Sequence, residues 1–482
     1  MYTRRMKSLH VLLCASVSLW FQASQTRAED WPQFRGPGGR AISEAAHPPI
    51  SFSPATNVLW KVTVPAGNSS PIVTGQKIFL TCVNDGRLET VCYDRKNGAV
   101  LWRRAVPTEK LEPTHRLGSP ATPTPVTDGT NVYSFFGSFG VIAYDLNGKE
   151  LWRQPITTPM VEFGTSASPI LIDSKLIVLC DQDLGSFVEA LDKKSGRTLW
   201  RTERTEFRRG FATPFYWKHS KDEELIVPGS IWLTSYDPLT GKENWRYTGT
   251  SRVATSTPTS GNDILYSASW NIGGDEDSRI SMPSFAEYAA EHDKNKDGKF
   301  TLDELPEGPV KERFTQMDLD KDGIVTPEEW ANMADMFARA GNAVLAIHPG
   351  GSGDITKTHL AWKSTRSLPY VSSPLFYKGR LFTVKNGGLV SAYDASNGHP
   401  IYQDERINAP GDYYASAIAT DNRVYFTSQN GVVTVIAALD GSPTILAQNK
   451  LGEQTMATPA PIENTILYRT ATTLYAFGEK AK

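Results

Sequence analysis

One short string recurs along this chain and leaves few architectures open to it. CYDRKNGAVLW ends at Trp102, and related strings end at Trp152 (AYDLNGKELW), Trp200 (ALDKKSGRTLW), Trp245 (SYDPLTGKENW) and Tyr402 (AYDASNGHPIY). A second element opens each unit: SSPIV at 69–73, ATPTPV at 121–126, SASPIL at 166–171, ATPF at 212–215, STPTS at 256–260, SSPLF at 372–376 and ATPAPI at 457–462. SAIAT at 416–420 is a weakened copy, which makes eight units. A unit this small cannot bury an apolar face alone, so its neighbours in the array must cover it.

Each unit reads as a short strand after Ser/Thr-Pro, a strand such as KIFLTCV, a turn, a strand such as LETVCYD, a Gly turn, and a strand around the tryptophan. Four short strands in roughly 45 residues is the pattern of a propeller blade. The last unit, ending in TLYAF, lacks its Trp strand, and NVLWKVTV at 57–64 supplies one. The expected fold is therefore an all-β eight-bladed β-propeller of four-stranded antiparallel blades, with an N-terminal strand closing the last blade.

These strings resemble the pyrroloquinoline-quinone-like (quinoprotein-type) β-propeller repeat, whose tryptophan-docking motif reads roughly A-x-D-x-x-T-G-x-x-x-W. The resemblance implies that Trp60, Trp102, Trp152, Trp200, Trp245 and Trp362 lie between neighbouring blades as packing residues, each burying a large aromatic surface. Cys92 falls at the motif's Ala position. Blade seven, with VIAALDGSPTILAQ, has no aromatic at the Trp place. Such repeats serve both quinoprotein alcohol dehydrogenases and cofactor-free scaffolds, including an outer-membrane assembly lipoprotein.

The opening prolines are read at Pro71, Pro123, Pro169, Pro214 and Pro258, then Pro374 and Pro459. The step of 116 residues from Pro258 to Pro374, against 44 or so elsewhere, marks an insertion inside blade five. It is assigned to 271–341, with propeller on either side at 29–270 and 342–482. The insertion contains DKNKDGKFTLDE and DLDKDGIVTPEE, and both fill D-x-[DN]-x-[DN]-G-x5-E. A hard cation takes six to eight oxygens, so this spacing supplies side chains from positions one, three and five, a carbonyl from seven and a bidentate Glu from twelve, with Gly at six for the turn. The expected ligands are Asp293, Asn295, Asp297, Glu304 and the Lys299 carbonyl in loop one, and Asp318, Asp320, Asp322, Glu329 and the Ile324 carbonyl in loop two. Two Ca2+ sites of an EF-hand pair follow, loop two the tighter because it carries one more carboxylate. SFAEYAAEH, PVKERFTQM and EEWANMADMFARA space their apolar residues as helices, with Phe285, Phe314, Trp330 and Phe337 as their core.

The insertion follows DILYSASW, the second strand of blade five, and precedes AVLAIH, its third. In an antiparallel blade that loop opens on the same face as the connectors entering each first strand, where propellers usually bind ligands at the channel mouth. His115, Arg116, Glu162, Arg208, Arg209, Arg252, Tyr370, Asp412 and Tyr413 on these connectors are candidates for an anionic or sugar-like ligand, and arginines suit a carboxylate or phosphate. Met333 and Met336 would offer a face to an amphipathic segment of a protein partner or pack down on the propeller.

Residues 1–28 join Arg4, Arg5 and Lys7 to the apolar run LHVLLCASVSLWF, the layout of a secretory signal. Leu13 before Cys14 speaks against lipid attachment there. Without this segment the 52 acidic side chains outnumber the basic ones by six. With aromatics spread along the chain and no basic cluster, a nucleic-acid protein is excluded. No later apolar run reaches the roughly 20 residues of a membrane span, so the protein is expected in the periplasm or outside the cell. Cys82, Cys92 and Cys180 are too scattered for a disulfide scaffold; a hairpin turning at Asp85 and Gly86 sets Cys82 opposite residue 89 or 90, which favours core thiols.

Two functions stay open. In the first, the propeller is an exported calcium-binding module that binds a ligand or scaffolds a protein partner. In the second, which the resemblance implies, it is a calcium- and pyrroloquinoline-quinone-dependent dehydrogenase of alcohols or sugars, with Asp412 as the one acidic candidate for a base. The connectors hold no clear Glu, Asn and Asp ligand set and no adjacent Cys pair, which favours the first.

Overall fold

The computed structural model describes residues 30–479; the segment read as an export signal, 1–28, lies outside them. Seven successive antiparallel sheets span 72–105, 126–155, 170–203, 215–248, 259–364, 375–406 and 418–450, each with four strands of its own. The eighth combines Ala460–Ile462, Thr465–Arg469 and Thr473–Gly478 with Val58–Thr63, which pairs antiparallel to the last of them, Lys61 opposite Tyr475. The chain is thus an eight-bladed β-propeller closed by its N-terminal strand. Second and third strands are buried almost throughout, as in Lys77–Asn84, because neighbouring blades cover both faces; outer strands such as Glu150–Pro155 bury only the tryptophan position deeply.

The repeated Trp and Gly form one device. The indoles of Trp60, Trp102, Trp152, Trp200 and Trp362 donate from Nε1 to a backbone carbonyl in the next blade's turn, at 2.9–3.2 Å. Each lies on that turn's glycine: a Cβ on Gly98, Gly148, Gly196, Gly241 or Gly398 would land 2.4–2.7 Å from the ring, and φ there is 72° to 81°. Positive φ and absence of a side chain are both demanded. Trp245 differs, donating to Glu224 of its own blade at 2.6 Å, because the next blade's turn is longer and folds back, Gly353–Asp354 adding a parallel strand to blade four.

The segment WPQFRGPGG, which belongs to no repeat, crosses the channel. Trp31 bridges Val73 of blade one, the Pro32 carbonyl accepts from Thr127 of blade two, and Ile42–Ser43 lies parallel to Ile418–Thr420 of blade seven. Between them Arg35 is fully buried and donates to the carbonyls of Thr257, Pro258 and Pro374 at 2.6–3.2 Å. With no carboxylate beside it, burial lowers its guanidinium to about 9.

The helical insertion lies between Ile264–Ser269 and Ala343–Ile347, adjacent strands of blade five. It contains helices Phe285–His292 and Pro327–Arg339; PVKERFTQM is not one helix but two short turns, Pro309–Glu312 and Phe314–Met317, broken at Arg313 (φ −99°, ψ 3°). Phe314, Trp330 and Phe337 are buried with Phe300, Met317 and Met333, and Phe285 packs on Trp330 with ring centroids 5.8 Å apart. Of the two fates open to the methionines, packing prevails. Met333 is in this core, and Met336 rests on Phe207, Ile231 and Trp232 of the propeller.

Cys82 faces Glu89 across its hairpin, and Cys82, Cys92 and Cys180 are free, buried thiols. Burial raises all three, Cys92 to about 12, so they are inert core groups.

Candidate functional site

The Ser/Thr before each opening proline builds the channel. The Ser70 amide donates to Thr124 Oγ1, Thr124 to Ser168, Ser168 to Thr213, Thr213 to Thr257, Thr257 to Ser373, Ser373 to Ser416, Ser416 to Thr458, and Thr458 back to Ser70. Seven of these bonds measure 2.9–3.1 Å and Ser373 to Ser416 measures 3.4 Å. The ring corrects one alignment: blade two's member is Thr124–Pro125, not Thr122–Pro123. It also explains SAIAT, which loses the proline and keeps the serine. Every oxygen in the ring accepts an amide and its own O–H is left available to donate.

Above the ring opens a cavity of about 460 Å³. All eight hydroxyl residues line it, with Phe34 of the crossing segment among them. His115, Arg209, Arg252 and Tyr370, expected at the mouth, are in its wall, and so are Asn271, Ile272 and Gln316 of the insertion. Arg116 instead faces a neighbouring recess of about 130 Å³. Tyr413 is a correction: it is 1% exposed and donates its hydroxyl to the Ala409 carbonyl at 2.7 Å, while Tyr414 takes the place in the wall. Asp412 does not line the cavity. Phe163 and Phe211, from the same connectors, supply apolar wall that charge-based reading passes over.

The arginines divide by partner. Arg209 is neutralised, with Asp183 at 2.5 Å and Glu162 at 2.9 Å. Arg252 has no carboxylate: its guanidinium lies over Phe337 at 5.2 Å and its buried Nε has no hydrogen-bond partner. Burial, then the neighbouring Arg313 and Arg209, lower it to about 10. Arg208 Nη1 is likewise buried without a partner. No Asp or Glu is among the residues lining the cavity. A quinone seated on calcium needs carboxylate oxygens at this mouth, so these residues do not fit that pair.

The two acidic loops share one backbone construction. Gly298 and Gly323 donate to Asp293 and Asp318 at 2.9 and 3.1 Å, with φ of 76° and 83°. Phe300–Thr301 and Ile324–Val325 join the loops as a two-stranded ladder. Glu304 and Glu329 cap Thr301 and Thr326 through amide and hydroxyl at 2.8–2.9 Å. In loop two, oxygens of Asp318, Asp320 and Asp322 lie within 4.8 Å of one another, and Asp318 Oδ1 is buried with no partner. A buried carboxylate oxygen left unpaired is costly, and a cation is what this donor set fits. Lys321, between two of these aspartates, reaches out to Asp183 of blade three at 3.3 Å.

No curated protein matches the chain. Among solved structures it is similar to BamB from Moraxella catarrhalis, at 12% identity and TM-score 0.53, covering 88% of this chain and 98% of that one. A europium-containing methanol dehydrogenase aligns at 11% identity and TM-score 0.58 over 94% and 98% of the two chains. The quinohemoprotein alcohol dehydrogenase from Comamonas testosteroni aligns at 11% and 0.54 over 95% and 82%. These likenesses show the fold alone. Residues 310–334 match the EF hand family model, which covers loop two. No described helix is long and apolar enough to cross a membrane. The model of the outer membrane protein assembly factor BamB family matches residues 50–180, 184–281 and 350–467, more than half of the sequence, and the chain belongs to that family.

Proposed function

We propose that the protein is an exported propeller that works as a binding or scaffolding module, with Ca2+ in both loops of the insertion holding one wall of the channel mouth. Asp293, Asn295, Asp297, Glu304 and the Lys299 carbonyl would hold one ion; Asp318, Asp320, Asp322, Glu329 and the Ile324 carbonyl would hold the other. Calcium supplies charge neutralisation and loop closure here, and extracellular concentrations keep even submillimolar sites filled. Periplasmic or extracellular placement accords with the signal-like start, and family membership supports a protein partner.

One observation carries the reading: Lys321 lies between two loop-two aspartates and pairs with Asp183, which also holds Arg209 in the cavity wall. Loop two and the mouth are thus one connected piece. Calorimetric titration of the purified protein with calcium should show two bound ions, and calcium should slow hydrogen exchange in connector 204–211. Absence of calcium binding, or exchange in that connector indifferent to calcium, refutes the proposal.

A further inference from the structure

Of the two arginines in the cavity wall, Arg252 is the one without a carboxylate partner. Arg209 spends its guanidinium on Asp183 and Glu162, whereas Arg252 faces the cavity without a carboxylate and with an unpaired buried Nε. Leaving such a donor buried and unpaired is unfavourable, and the wall offers it no acidic side chain. Arg252 is held in place from the other side by Phe337 of the insertion, 5.2 Å away, and by the blade-four to blade-five connector that carries it.

The rest of the cavity defines what the anion is attached to. Phe163 is 42% exposed, with His115 beside it at 5.4 Å and Phe211 edge-on at 5.9 Å, so it presents a ring face at the entrance. Tyr370 and Tyr414 also line the cavity. The floor is the ring of eight hydroxyls, each with an O–H free to donate. Aromatic faces on the sides, many O–H donors below and one guanidinium suit a flat, oxygen-rich body with a single carboxylate. A volume of about 460 Å³ admits one or two sugar rings.

From this we infer that the channel mouth binds an acidic sugar, its carboxylate on Arg252, a ring face on Phe163 and its hydroxyls toward the Ser/Thr ring. The inference rests on the mouth being a binding surface and adds the class of ligand. Its outcome is read from sugar binding and that of the calcium loops from the ion titration.

The test uses the full mature chain with calcium, titrated calorimetrically with glucuronate, glucose and inorganic sulfate. Glucuronate should bind at least tenfold more tightly than glucose or sulfate. Arg252→Gln should reduce glucuronate to the level of glucose, Arg252→Lys should leave an intermediate affinity, and Phe163→Ala should weaken both sugars. Unchanged calcium binding by the variants shows that the insertion is still seated. Equal binding of glucose and glucuronate, an Arg252→Gln variant that binds like the parent, or no binding of either sugar overturns the inference. None of these results bears on the calcium titration, so the module reading and the ligand assignment fail separately.

Discussion

Replacing Thr124 by Val should open the hydroxyl ring at one joint without removing volume from the channel. The Ser70 amide, whose residue is 3% exposed, then loses its 2.9 Å acceptor. An orphaned buried donor costs about 1–3 kcal/mol. The same deletion at Ser416 breaks the 3.4 Å bond from Ser373, which is already near the limit of a hydrogen bond, so Ser416→Ala should cost only about 0.5–1 kcal/mol. Thr124→Ser, which keeps the acceptor, is the control. The assay is the urea midpoint, read together with hydrogen exchange at the Ser70 amide, because a ring of repeated units need not unfold in one step. Coincident midpoints for Thr124→Val and Thr124→Ser, or a larger loss for Ser416→Ala than for Thr124→Val, would refute the ring as a source of stability.

Three further outcomes are expected. Ala417→Pro restores the proline of the other blades and should raise stability by about 0.4–1 kcal/mol through the unfolded chain; a lowered thermal midpoint would show that blade seven's backbone has diverged. Glu329→Gln should weaken calcium binding more than Glu304→Gln does, by calorimetry, since loop two carries the extra carboxylate; the reverse order would contradict it. Burial raises Glu112 above the ordinary carboxyl value of 4.5 despite its hydrogen bonds from Thr165. The folded state therefore holds its proton more tightly than the unfolded one, and stability from this group falls as pH rises from 4.5 through the raised value. Glu112→Gln should remove that slope in urea midpoints measured between pH 4 and 8, and an unchanged slope would assign it to another group.

The blades were legible because each feature repeats: a Trp, a Gly beneath the previous Trp, and a hydroxyl before proline recur with the period of the fold. Failures came where the period is silent. ATPTPV offers two Thr-Pro pairs, and the spacing of 44 from Pro125 to Pro169 would have chosen the right one. In GDYY, two adjacent tyrosines on a connector share no alternation with a strand, so nothing in the sequence says that Tyr413 turns inward and Tyr414 outward. Arg208 and Arg209 present the same difficulty, and partners on other blades, Asp183 and Glu162 for Arg209, settle it only in three dimensions. The helix expected over PVKERFTQM breaks at Arg313, whose ring neighbour Phe337 lies in the longer helix of the insertion. The crossing segment has a single copy, so no period marks it.

That segment has a consequence for the order of assembly. The carbonyls that receive Arg35 lie 222, 223 and 339 residues further along the chain, and Ile42 pairs with Ala419. Trp31 can meet Val73 of blade one early, but Arg35 and Ile42 are not fully paired until blade six and then blade seven exist. Loop closure over such separations is slow, so blades one to five would form around an open axis that is sealed last. A guanidinium on that axis acts as an inspection step: it finds all its acceptors only when blades five and six stand at the correct spacing.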